Sequence, residues 1–184
     1  MVINRLFSAM ATSGDRAKAR KILTDWLATH PDDFDNRITL GNNFMASKEY
    51  SAAAALYEAV APKMPRNSVL FNNLAIAYDH LDDARAVETA KLAYSLAPGT
   101  ARIADTYGYL LFRKGNAEQG ATLVQLAQRS EPHNPTISYH WAEVLAARND
   151  QEGARAILQP LFEEKAGFED MEAARQLYAR VGGK

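Results

Sequence analysis

Four prolines punctuate the chain at nearly equal intervals: Pro31, Pro65, Pro98 and Pro132 stand 34, 33 and 34 residues apart. Proline fixes φ, lacks an N–H and cannot continue a helix from within, so each one marks the end of an apolar-periodic segment. A period of this length constrains the fold more than any composition does. Each unit has to be one supersecondary element that buries its apolar face only by stacking on its neighbours.

Other columns keep the same register. A small residue recurs where the second helix of each unit begins: Ala19, Ala53, Ala86, Gly120 and Ala154. Four residues on come Leu23, Tyr57, Ala90, Val124 and Leu158, and three further on Trp26, Val60, Ala93, Ala127 and Leu161. Steps of four and three place these side chains on one helical face. In the first helix of each unit, the large residues Leu40, Leu74, Tyr107 and Trp141 are followed at once by Gly41, Ala75, Gly108 and Ala142. Three residues later come Phe44, Tyr78, Leu111 and Leu145. A large residue beside a small one lets two helices approach and interlock. Turn signals separate the helices at Ser13-Gly14-Asp15, Asp82-Asp83, Lys114-Gly115-Asn116 and Arg148-Asn149-Asp150.

These columns resemble the tetratricopeptide repeat family, whose unit is a helix–turn–helix of about 34 residues. The resemblance implies an all-α, right-handed superhelical solenoid of antiparallel helix pairs. It divides a single array into repeats at about 1–32, 33–66, 67–99, 100–133 and 134–166, with a capping helix over 168–181. The expected helix pairs are 2–12 with 15–29, 34–46 with 49–61, 67–80 with 83–96, 101–114 with 117–130 and 135–147 with 150–164. The last helix carries Phe168, Met171, Leu177, Tyr178 and Val181 on one side, suited to covering the final repeat. Two departures stand out. Phe7 occupies a column held elsewhere by Gly or Ala, and Pro62 falls where its helix must end early or kink.

Three segments are more particular: Phe71-Asn72-Asn73-Leu74-Ala75, Asp105-Thr106-Tyr107-Gly108-Tyr109-Leu110-Leu111, and Tyr139-His140-Trp141-Ala142-Glu143-Val144-Leu145-Ala146. Over residues 67–181 they resemble the C-terminal repeats of tetratricopeptide lipoproteins of bacterial PEP-CTERM and exosortase systems, which accompany exopolysaccharide production and surface-protein sorting. That resemblance implies that the chain is part of a longer, envelope-facing protein. It would then be periplasmic or envelope-associated, and otherwise cytoplasmic.

With the core columns assigned, the remaining face of the first helices is the expected partner groove. It carries Ile38, Asn42 and Met45, then Asn72, Asn73, Ile76 and Asp79. Next come Arg102, Asp105, Tyr109, Phe112 and Arg113, followed by Tyr139 and Glu143. Apolar and aromatic residues not needed for packing suit a binding surface. Tyr109, Phe112 and Tyr139 are candidate anchors, Asn42 and Asn73 candidate backbone partners, and Arg102 a candidate carboxylate fork. The alternative is that the aromatic residues pack on neighbouring repeats and the asparagines satisfy local groups. Some tetratricopeptide domains hold chaperone C-termini through a two-carboxylate clamp. Asn42 and Asn73 match its asparagines and Arg102 replaces a lysine, but Ile38 and Thr106 stand where a lysine and an arginine are required. The clamp is therefore not expected.

Composition narrows the remaining classes. The net charge of −1 over 184 residues gives no basic footprint for nucleic acid. There is no cysteine, hence no disulfide, thiol chemistry or cysteine-ligated zinc. No apolar run approaches the roughly 20 residues that span a bilayer. His30, His80, His133 and His140 are scattered and suggest no metal site. Asp32-Asp33, Asp82-Asp83 and Glu163-Glu164 sit where acids cap helices or offset their dipoles. No phosphate-cradling glycine loop or nucleophile elbow occurs. The expectation is a non-catalytic, cofactor-free scaffold for a protein or peptide. Self-assembly through the end of the first repeat near Phe7 is the alternative, with a cytoplasmic adaptor or co-chaperone role behind it.

Overall fold

The computed structural model describes residues 16–163 and 167–183, which hold ten α-helices, one 3-10 turn and no strand. The expected helix 2–12, the turn at Ser13-Gly14-Asp15, Phe7 and Glu164 lie outside these residues. The chain divides into two compact units at Leu96 and Ala97. The first contains α1 (Arg16–Thr29), α2 (Phe34–Ala46), α3 (Tyr50–Val60), α4 (Ser68–His80) and α5 (Ala86–Leu96). The second contains α6 (Ala101–Lys114), α7 (Ala117–Ser130), α8 (Pro135–Ala147), α9 (Gln151–Leu158) and α10 (Met171–Arg180).

The turn inside each repeat is a recurring device. Lys48, Asp82, Gly115 and Asn149 all have positive φ, at 59°, 53°, 128° and 63°. They recur at the repeat spacing of 34, 33 and 34 residues. In each case the next residue turns its N–H back to a carbonyl five positions earlier: Glu49 to Phe44, Asp83 to Tyr78, Asn116 to Leu111 and Asp150 to Leu145, at 2.9–3.0 Å. That bond satisfies a helix-terminal carbonyl, and a left-handed residue is what brings the N–H around to it. Two of these residues then cap the next helix with their side chains, Asn116 to the Gln119 N–H and Asp150 to the Gly153 N–H. A single residue thus ends one helix and starts the next, and so short a turn makes the pair antiparallel. Between repeats, Asp33, Asn67 and Asn134 stand two residues after a proline and cap α2, α4 and α8; Thr100 holds the same place before α6 without a side-chain bond.

Most residues of the expected core columns are buried, while Trp26, Phe44, Leu111 and Leu145 are half-buried. Ala19, Ala53, Ala86 and Ala154 have no exposed surface, nor do Leu23, Tyr57, Val124 and Leu158. The small residues beside them set the approach of the helices. A Cβ on Gly41 would stand 2.5 Å from the Tyr57 ring, and one on Gly108 would stand 2.7 Å from Leu123 Cβ. A Cβ on Gly120 would fall on the backbone of Phe112 and Gly108, which cannot swing aside as a side chain can. Arginines fasten two repeats in the first unit through the aromatic column. Arg20 lies 4.2 Å over Phe44 and bonds Asn43, Ser47 and Glu49. Arg85 lies 4.1 Å over Tyr78 and bonds Asp83 and Glu58.

Some boundaries differ from the expectation. The helix expected over 83–96 begins at Ala86, because Asp83 spends its carboxylate on the Arg85 backbone and guanidinium in an extra turn. The helix expected over 49–61 ends at Val60, two residues ahead of Pro62. The helix expected over 150–164 ends at Leu158 and tightens into a 3-10 turn, Gln159–Phe162, because Pro160 has no N–H to continue the α pattern. The capping helix starts at Met171, three residues later than expected.

Three outcomes are expected from this packing. Gly120→Ala should lower unfolding free energy by about 1–3 kcal/mol in urea titrations, while Gly99→Ala, where an added Cβ meets nothing within 4 Å, should be near neutral. Lys48→Gly should raise stability by about 1 kcal/mol by relieving a left-handed non-glycine. Hydrogen bonds from Arg85 hold the Asp83 carboxyl at about 2, below its ordinary 3.8. A depressed carboxyl stabilises the fold above its unfolded pKa and stops doing so as pH falls through the folded one. The stability advantage of wild type over Asp83→Asn should therefore be full above 3.8 and vanish as pH falls towards 2.

Candidate partner-binding surface

Within each unit, neighbouring first helices meet side by side, and residues about one repeat apart in sequence touch. In the first unit Asn42 Oδ1 accepts from Tyr57 Oη at 2.7 Å and from Asn73 Nδ2 at 2.9 Å. Ile38, Met45 and Ile76 are half-buried, Asn42 is exposed, and Asn72 is buried. The two asparagines proposed as backbone partners are thus tied to each other.

The second unit builds a denser cluster. His140 Nδ1 lies 2.8 Å from Asp105 Oδ2, both side chains being buried. A carboxylate only accepts, which assigns the proton to Nδ1. The other Asp105 oxygen is buried without a hydrogen-bond partner among the described residues. The imidazole stacks on Tyr109, with centroids 3.6 Å apart and planes inclined by 11°. Tyr109 donates its hydroxyl to Glu143, and the charge of the same carboxylate acts on the nearby Tyr139 phenol. Burial, reinforced by the Glu143 charge, pushes both phenols well above their ordinary 10, so they remain donors throughout the neutral range.

Beside this cluster opens a cleft of about 450 Å3. Its walls are Tyr109, Phe112 and Arg113 of α6, Glu143, Ala146 and Ala147 of α8, Gln151 at the start of α9, and Leu177, Arg180 and Val181 from the capping helix and its end. The Arg113 guanidinium lies 5.4 Å above the Tyr109 ring. Among the described residues, no group of three His, Asp or Glu is placed to hold a metal ion, and no helix is long and apolar enough to cross a membrane.

No family profile matches the sequence. A thermophilic tetratricopeptide protein of Thermus thermophilus superposes with a TM-score of 0.74 over 96% of this chain and 95% of its own, at 19% identity. YrrB, described as a tetratricopeptide protein with an unusual peptide-binding site, superposes with a TM-score of 0.66 over 96% of this chain and 88% of its own, at 15% identity. The chain folds as tetratricopeptide repeats. In sequence, it is 27% identical over 112 residues to small glutamine-rich tetratricopeptide repeat-containing protein 2 of Mycosarcoma maydis. That match takes in 60% of this chain but only 31% of the relative's length. Tetratricopeptide proteins are generally protein-interaction scaffolds, and those that share this fold are typically non-catalytic.

Of the tetratricopeptide groove residues expected from sequence, Tyr109, Phe112 and Glu143 line the cleft. Arg102 is exposed at the start of α6 and is not part of the cleft wall. Asn72, Asp105 and Tyr139 were expected on an open face, and the structure places them inside, at 9%, 3% and 7% exposure. They share one column of the repeat; in the second unit His140 of α8 meets Asp105, and Tyr139 packs with Leu158, Leu177 and Val181. Sequence reasoning passed over His140 as a scattered histidine. A signal for it existed: it follows Tyr109 by 31 residues, as Asn73 follows Asn42. The cleft role of Gln151 and Arg180 had no such signal, since neither lies on a first helix.

The Asp105–His140 bond is testable through stability. His140→Phe keeps the stack but leaves Asp105 buried without its partner, and should cost about 3 kcal/mol in urea unfolding. Asp105→Asn retains an acceptor for Nδ1 and should cost no more than about 1 kcal/mol.

Proposed function

We propose that the chain is a non-catalytic scaffold that holds a protein or peptide partner on the first helices of its repeats, with the cleft of the second unit as its main foothold. One observation carries this reading. The cleft combines half-buried aromatic faces, Tyr109 and Phe112, with charged groups at its margin, on a framework already locked by the Asp105–His140–Tyr109–Glu143 contacts. Aromatic and arginine side chains on a rigid frame are the usual anchors of protein interfaces, because little conformational freedom is lost when they bind. The peptide-binding site ascribed to YrrB supports the same use of the fold. The resemblance of residues 67–181 to lipoproteins of PEP-CTERM systems favours a partner in the bacterial envelope, within exopolysaccharide or protein-sorting machinery.

Ala147 is exposed on the cleft wall, so Ala147→Trp should plug it without disturbing the core. In capture from separated envelope and cytosolic extracts, wild type should retain a partner that the plugged variant loses, at unchanged helicity and urea midpoint. Equal capture by both proteins would remove the cleft as the working site. Recovery from the cytosolic fraction alone would remove the envelope assignment.

A further inference from the structure

The composition of the cleft wall goes further than a generic foothold. Resting on that reading, we propose that the cleft receives an acidic side chain of the partner together with an adjoining aliphatic one.

The apolar half of the site is supplied by Leu177 and Val181, which are 3% and 4% exposed, and by the half-buried Phe112. These groups form a floor too deep for water-seeking groups and suited to a branched aliphatic side chain. The charged half comes from two separate elements. Arg113 of α6 and Arg180 of α10 are both exposed cations on the wall, and Arg180 makes no ion pair among the described residues. Glu143 is the one carboxylate among the described residues of the wall, and it already accepts from the Tyr109 phenol. The lining therefore sets the Arg180 guanidinium, which has no ion pair among the described residues, beside a Glu143 carboxylate that is engaged from within. Guanidinium groups bind carboxylates through a planar fork, which favours an Asp or Glu over a neutral amide. Gln151 adds an amide that can donate to the same acid. A volume of about 450 Å3 accommodates one or two side chains and is too small for a helix face.

The test uses the full chain as bait for a phage-displayed library of random dodecapeptides. Selected sequences are then made as acetylated, amidated peptides, so that no terminal carboxylate is present, and are titrated by fluorescence anisotropy. The expected peptides carry Asp or Glu next to Leu, Ile or Val. Replacing that acid by its amide, or Arg180→Gln in the protein, should each weaken binding about tenfold, with little further loss when combined. Binding should also weaken as salt is raised. Peptides without an acid, or peptides indifferent to Arg180→Gln, would overturn the inference; if Ala147→Trp still abolished their binding, the cleft would stand as the foothold. Binding indifferent to Ala147→Trp would overturn both readings, and a selection that yields no peptide would overturn the inference.

Discussion

Two helices joined by a turn of two to five residues must pass close to each other along their length, and the closest passage decides how each repeat packs. In the α6–α7 pair this passage is between backbones. Gly120 lies against Phe112 and Gly108, with no room for a Cβ on either glycine. In the pair before it alanine serves, with Ala75 and Ala86 fully buried. The turn enforces the approach through the bond that runs back to Phe44, Tyr78, Leu111 or Leu145. Because the turn fixes the end of one helix and the start of the next, the large residues in the neighbouring columns are delivered into the same seam in every repeat.

This regularity turns a one-dimensional spacing into a surface. Within each unit, first helices of successive repeats present equivalent columns side by side, and contacts recur at the same offset. Asn42 to Asn73 and Tyr109 to His140 are both 31 residues apart. The chemistry at that offset differs between the units. The first unit uses it for an amide pair that a ligand would have to displace. The second fills it with stacked rings and tethers them through the buried Asp105 and the half-buried Glu143, beside a cleft that Tyr109 and Phe112 line. The capping helix therefore contributes more than cover for the last repeat. Leu177 and Val181 complete the floor, and Arg180 reaches the wall.

The network also explains why polar residues on the first helices are poor guides to the binding face. Asn72, Asp105 and Tyr139 fall in a column that a helical wheel assigns to the open side. In the second unit the next first helix closes over Asp105, and the capping helix over Tyr139. Asp105 is retained there because His140, from the next repeat, supplies a donor at 2.8 Å. A buried polar group is tolerable when its partner is fixed in place, and here the repeat spacing fixes it.

What the sequence determined by itself is whatever repeats: the helix pairs, their caps, the small and large columns and the covering helix. These follow from local rules of φ, capping and 3.6-residue periodicity, so prolines, Asx residues and glycines disclose them without reference to distant parts of the chain. Several helix limits were legible to the residue for that reason, such as Phe34–Ala46 and Pro135–Ala147. The left-handed turn at Lys48 was not, because lysine gives no sign of positive φ. Tertiary structure alone decided which side of a first helix stays open, and that Gln151 and Arg180 join Tyr109 and Phe112 around one cleft. Those facts depend on how far apart neighbouring helices settle and on where the capping helix lands. Both are outcomes of packing many side chains at once, and no spacing in the sequence encodes them.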